Sequence, residues 1–216
     1  MAFSWLWSFI SPSRLIELSM WVAQFFYFAC FVPQIITNFR AKSGTGVSDL
    51  LLAFYFNAYL FLLYYIFGLH LPTAYQVMVP LQTLATITLI VQRVYYAHGD
   101  ESKRLLRFYL LNTVFFVAIL PFALCNPVSI AEPFGWFSFA AAFASQAPQV
   151  VKIHRQKNVS GFNFGFVFFL ALAALIELVT ALAAHLPPQT LCGATRGLVM
   201  AGIMSLQFVW YRDNHA

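Results

Sequence analysis

Seven runs of about 20 mostly apolar residues dominate this sequence, and they leave few architectures open. They cover residues 15–39, 47–68, 72–97, 105–124, 134–153, 162–185 and 191–211. As helices, runs of that length match the roughly 30 Å hydrocarbon core of a bilayer. The breaks between them are short and rich in turn-forming residues: Lys42-Ser43-Gly44, 69–71, 98–104, 126–133, 156–161 and Pro187-Pro188. The runs are apolar all round rather than alternating, which excludes a β-barrel. Composition agrees: 61% of the 216 residues are hydrophobic and 9% charged, where soluble domains carry about 25% charged. A soluble fold would have nowhere to hide that surface. The expected fold is therefore an all-α membrane protein of seven transmembrane helices, in contact with the lipid bilayer.

The net charge of +5 lies in short loops rather than on one basic face, so no nucleic-acid partner is implied. It does set orientation. With the N-terminus outside, the cytoplasmic parts hold Arg40, Lys42, Arg93, Lys103, Arg104, Arg107, Lys152, Arg155, Lys157 and Arg212, and the outer parts only Arg14 and Arg196. A ten-to-two excess of Lys and Arg predicts N-out, C-in, and favours an odd number of spans. The one Asn-X-Ser sequon, at Asn158, then falls on the cytoplasmic side. Cys30, Cys125 and Cys192 have no metal-ligand spacing and read as packing residues. The first run carries motif residues and reads as a mature helix rather than a cleaved leader.

The chain repeats itself at an offset of 115 residues. Pro33-Gln34 falls on Pro148-Gln149, Arg40 on Arg155, Lys42 on Lys157, Gly46 on Gly161, Gln92 on Gln207 and Tyr96 on Tyr211, with no gap. The unit is three helices, 15–97 and 134–211, with 105–124 left as a linker helix. Equivalent helices are four apart, so both copies cross the membrane in the same direction. Parallel repeats of this kind place a solute site near midplane between the halves.

The segment Phe-Val-Pro-Gln-Ile-Ile-Thr-Asn-Phe-Arg-Ala-Lys-Ser-Gly-Thr-Gly-Val-Ser at 31–48 resembles a PQ-loop repeat. Ala-Pro-Gln-Val-Val-Lys-Ile-His-Arg-Gln-Lys-Asn-Val-Ser-Gly-Phe-Asn at 147–163 resembles a second. Two such repeats in seven helices resemble the cystinosin and lysosomal cationic-amino-acid exporter group. SWEET sugar transporters share the three-one-three plan, and the KDEL receptor, a cargo receptor, shares the fold. The resemblance implies a transporter of a small polar solute. Cystinosin-like members carry proton-binding acidic residues in the second helix of a repeat and in the last helix. The matching positions here are Tyr55 and Leu170, and 191–211 contains no Asp or Glu.

Pro33 and Pro148 each remove a helical backbone donor, and a matched pair suits hinges for alternating access as well as static kinks. Gln34 and Gln149 can satisfy the carbonyl a proline frees, or face a central cavity. Gly46 and Gly161 are expected at positive φ where a loop re-enters a helix. Arg40, Lys42, Arg155 and Lys157 read as headgroup anchors. Asn57, about 16 Å into its helix, and Gln82, at a similar depth, are candidates for substrate contact, with helix–helix hydrogen bonding as the alternative. Tyr55 and Arg196 join them. Glu177 is the one acidic residue deep in a span, and is the candidate proton carrier, or partner of a cationic solute or of Arg196. Asp49 reads as first-turn helix support, or with Arg40 or Lys152 as a cytoplasmic gate.

Nothing in the sequence looks catalytic, and no cofactor or metal is implied; a proton is the one coupling ion suggested. The favoured reading is a secondary transporter of a small polar solute, an amino acid ahead of others. The alternatives are a SWEET-like sugar uniporter and a non-transporting receptor or accessory protein resembling the KDEL receptor. A bacterial inner membrane or an endolysosomal membrane would suit it. Oligomeric state is open, with the small residues at 140–144 able to pack within the bundle or between subunits.

Overall fold

The computed structural model describes residues 11–125, 127–159 and 162–211. The first span is formed by α1 (Pro12–Ala29) and α2 (Phe31–Ala41). The other six are α3 (Asp49–Gly68), α4 (Thr73–Tyr95), α5 (Gly99–Cys125), α6 (Pro127–Gln156), α7 (Phe164–Ala183) and α8 (Pro188–Tyr211). Among the described residues there is no strand. Four single helices and the α1–α2 pair are long and apolar enough to cross a membrane by hydropathy. α5 and α6, at 27 and 30 residues, are about 40 and 45 Å long, which is also sufficient. The outward faces carry large apolar side chains such as Leu84, Val91, Leu111, Val179, Leu206 and Trp210, as lipid contact requires.

Local chemistry explains the helix starts. Ser11 caps α1 by accepting from the Arg14 N–H, with Pro12 in the first turn, where its missing donor costs nothing. Asn163 caps α7 through the Gly165 N–H at 2.8 Å. The 126–133 break is shorter than its composition suggests. α6 begins at Pro127 and runs through Pro133, while α5 runs through Pro121 to Cys125. Pro127 stands at the helix start, where proline is well tolerated. α5 also begins earlier than 105, at Gly99, with Asp100 and Glu101 in its first turn, where carboxylates suit the helix dipole.

The 115-residue offset reaches the backbone itself. The described non-glycine residues with positive φ are Lys42 and Lys157, at 49° and 52°, and His70 and His185, both at 50°. Each is a symmetry pair. Lys42 closes α2 with its N–H on the Asn38 carbonyl. The left-handed turn after the motif is thus made by the lysine, and Gly46 does not have positive φ. The helix-ending cap takes up the left-handed conformation four residues before the glycine. Gly161 lies outside the described residues.

The repeats pack through equivalent contacts. The first span lies against α7, and α6 against α3. The linker helix α5 touches α3, α4 and α6 more lightly. The two prolines are unequal: the first span is interrupted at Cys30, three residues before Pro33, whereas α6 runs unbroken through Pro148.

Candidate functional site

Between the repeats lies a cavity of about 120 Å³. On α3 its wall is formed by Tyr55, Ala58, Tyr59, Leu62 and Tyr65. That is the spacing of one helical face. Asn57, two residues past Tyr55, points about 200° away. It does not line the cavity; its Oδ1 accepts from Asn112 Nδ2 of the linker helix at 2.7 Å. In this structure Asn57 takes the alternative to substrate contact, a helix–helix hydrogen bond.

Gln82, Tyr55, Arg196 and Glu177 do line the cavity. Glu177, 7% exposed, sits about 20 Å from the start of α7. Its Oε1 accepts from Tyr75 Oη at 2.9 Å and from Gln24 Nε2 at 3.1 Å. Gln82 Nε2 in turn donates to Gln24 Oε1 at 3.0 Å and to the Gln24 carbonyl at 3.1 Å. One carboxylate thereby ties together α1, α4 and α7. Sequence reasoning missed Gln24 and Tyr75; a lone glutamine inside an apolar run was the available signal. Tyr55 Oη accepts from Gln146 Nε2 at 2.8 Å. Arg196 donates from Nη1 to the Ala142 carbonyl at 2.6 Å and from Nε to the Gly193 carbonyl at 3.4 Å. It forms no ion pair with Glu177, so both ends of that expected pair face the cavity separately.

Towards the motif face the cavity ends on an aromatic plug. Phe31 meets Tyr55, Tyr59 and Phe166 edge-on at centroid distances of 5.8–6.0 Å. Beyond the plug the two Pro-Gln motifs close that face. Gln149 Oε1 accepts from the Ser48 N–H at 2.8 Å, and Gln34 Oε1 from the Asn163 N–H at 2.9 Å. Ser48 and Asn163 are equivalent residues and stand before α3 and α7. Each motif glutamine therefore caps the second helix of the other repeat, a reciprocal tie. Neither glutamine lines the cavity. Gln149 Nε2 also donates to the Gly46 carbonyl at 3.2 Å, and Gln34 Nε2 donates to Asn38 at 2.8 Å. Within each repeat a second pair recurs: Gln92 donates to the Ile35 carbonyl and Gln207 to the Val150 carbonyl, at 3.1 and 2.9 Å.

The charged residues of this face are arranged differently from expectation. Asp49 pairs with neither Arg40 nor Lys152. Arg93 binds it in bidentate fashion, at 2.7 and 3.3 Å, and reaches Glu101 at 2.7 Å. This connects α3, α4 and α5. Glu101, in the polar first turn of α5, precedes the apolar run 105–124, and the Arg93 guanidinium hydrogen-bonded to it holds its carboxyl below the ordinary range. The Arg93 backbone comes within 2.8 Å of where a Cβ on Gly44 would stand, so the loop rests directly on α4. Lys152 donates to the Thr45 and Val47 carbonyls, another strap between repeats. Arg40 is exposed beside Pro33 and Thr37 in a shallow surface groove.

The family model of the PQ loop repeat matches residues 15–75 and 130–190. The two segments carry the 115-residue offset and make up more than half of the chain. No curated protein matches the sequence at a significant level. Among solved structures, a eukaryotic SWEET transporter is similar, with a TM-score of 0.67 and 18% identity over 93% of this chain and 100% of that one. At that identity the likeness shows a shared fold.

Proposed function

The chain belongs to the PQ-loop repeat family, and from that premise we propose that it is a secondary transporter of a small zwitterionic amino acid, working by alternating access. One observation carries the choice of solute. Among the described residues, Glu177 and Arg196 are the charged side chains lining the cavity, and they form no ion pair with each other. An amino acid brings an ammonium for the carboxylate and a carboxylate for the guanidinium. Arg196 spends only two of its five donors on backbone carbonyls, and the others suit a bidentate carboxylate. A sugar would bring no charge to either group.

The motif face, cytoplasmic by its excess of Lys and Arg, is the closed gate of this arrangement. Opening it breaks the reciprocal glutamine ties and parts Phe31 from Tyr55 and Phe166. Glu177 is the residue at which a proton or the solute ammonium binds, held by Tyr75 and Gln24. The pairs Asp49–Arg93 and Arg93–Glu101 hold α3, α4 and α5 as one body during rocking.

Thermal denaturation of the purified protein tests the solute class. A ligand of the native state at about 100 times its Kd adds about 2.7 kcal/mol to stability. Free amino acids should raise the melting temperature, while their N-acetyl and methyl-ester derivatives, each lacking one charge, should not. Stabilisation by sugars and not by amino acids would refute this reading.

A further inference from the structure

We propose that the end of the cavity bounded by Tyr65 and Gln189 is a side-chain subsite, selecting amino acids whose side chain is neutral and hydrogen-bonding, a carboxamide or hydroxyl. This deepens, and rests on, the amino-acid reading above. Several polar groups of the cavity are already engaged. Gln24, Gln82, Tyr75 and Glu177 bond among themselves. Tyr55 has Gln146, and Arg196 has two carbonyls. Among the other lining groups, Tyr65 Oη and Gln189 Oε1 are buried and make no hydrogen bond of ordinary geometry, although the Thr190 side chain is close enough to act on the Tyr65 phenol. Tyr65 and Gln189 are only 2% and 8% exposed.

Buried polar atoms are rarely left unpaired; Gln92, Gln146 and Gln207 also carry such an Oε1, but of these five groups it is Tyr65 and Gln189 that line the cavity, where another molecule can supply the bond. Tyr65 is also seated deliberately. A Cβ on Gly135 would stand 2.6 and 2.7 Å from the Tyr65 ring, so the glycine in α6 creates the slot that the ring occupies. Gln189 is in the first turn of α8, beside Thr190. Among the described residues, no charged side chain lines this end. Glu132, the acidic group within electrostatic reach of Tyr65, is exposed and outside the lining.

The chemistry of these two groups defines the complement. A phenol both donates and accepts; an amide presents an acceptor, or a donor if its plane is turned. A carboxamide or hydroxyl side chain satisfies both, and an aliphatic one satisfies neither. Sites built to hydrogen-bond a substrate group discriminate strongly against analogues that lack it. The solute's backbone charges would occupy Glu177 and Arg196, leaving its side chain for Tyr65 and Gln189.

Calorimetric titration of the purified full chain with L-asparagine and with L-leucine, close in shape, tests this. Asparagine should bind at least about tenfold more tightly, since each added hydrogen bond of ordinary strength is of that order. Tyr65→Phe and Gln189→Met should bring the ratio of the two affinities towards one. Arg196→Gln should weaken both amino acids and preserve the ratio. Tyr65→Phe should leave the melting temperature nearly unchanged, because the hydroxyl it removes makes no hydrogen bond of ordinary geometry. Equal affinities in the natural protein, or a ratio unmoved by both subsite variants, would mean that only water fills this end, and would overturn the subsite while leaving the transport reading intact. Binding of no amino acid would overturn both.

Discussion

The reciprocal glutamine ties have a measurable consequence for which face is open. Gln149→Leu keeps the side-chain volume and removes two hydrogen bonds, to the Ser48 N–H at 2.8 Å and the Gly46 carbonyl at 3.2 Å. Each such bond is worth about 1 kcal/mol net, and a buried donor left unpaired costs about 1–3 kcal/mol. The closed motif face should therefore lose about 2–4 kcal/mol. In the open arrangement the same groups meet water, so nothing comparable is lost there. The equilibrium should move towards open by roughly 30- to 1,000-fold, a tenfold change for each 1.4 kcal/mol. Gln34→Leu acts on the equivalent bond to the Asn163 N–H and should shift it in the same direction. The assay is the distance distribution between spin labels at Arg40→Cys and Arg155→Cys, an exposed and symmetry-related pair on that face, with the native cysteines replaced. The account predicts growth of a longer-distance population in Gln149→Leu. A lowered melting temperature with an unchanged distribution would refute it, and make the ties plain packing.

Three further outcomes follow from the packing. Gly197→Ala places a Cβ 2.9 Å from the Ala174 Cβ and should destabilise the α7–α8 contact by about 1–3 kcal/mol, with Ala174→Gly restoring the melting temperature in the double variant. His70→Gly and His185→Gly should each stabilise by up to about 1 kcal/mol, by relieving a left-handed backbone that disfavours a side chain; a drop in melting temperature at either would contradict this. Because Glu101 is held below its unfolded value, its pairing with Arg93 favours the fold above the unfolded pKa, and that help is lost as pH falls through the folded pKa. Arg93→Gln should return the Glu101 titration, followed by carboxyl NMR, to the ordinary range, and no change on substitution would contradict the pairing.

The architecture was legible because it rests on properties a linear chain displays. Lengths of apolar runs give the spans, and a constant offset gives the repeat, which recurs in the structure as far as the φ values of Lys42 and Lys157. What escaped needed direction as well as depth. Asn57 has the depth of the cavity, yet its azimuth on α3 sends it to Asn112; the tyrosines at 55, 59 and 65 carried the true face. The motif glutamines suggested a bond within their own helix or a place facing the cavity, whereas their partners, Ser48 and Asn163, belong to the opposite repeat. Asp49 found Arg93 rather than Arg40 or Lys152 because α4 returns beside α3, a neighbour relation that charge counting does not contain. Gly46 was given a turn that the αL cap at Lys42 already makes.

Counterflow in sealed proteoliposomes tests the central claim most directly. Vesicles loaded with unlabelled L-asparagine and diluted into a trace of the labelled amino acid should accumulate label transiently, and Arg196→Gln or Glu177→Ala should abolish the accumulation. Absence of amino-acid exchange in vesicles that exchange labelled glucose, or that exchange no solute while the protein remains folded, would contradict the account.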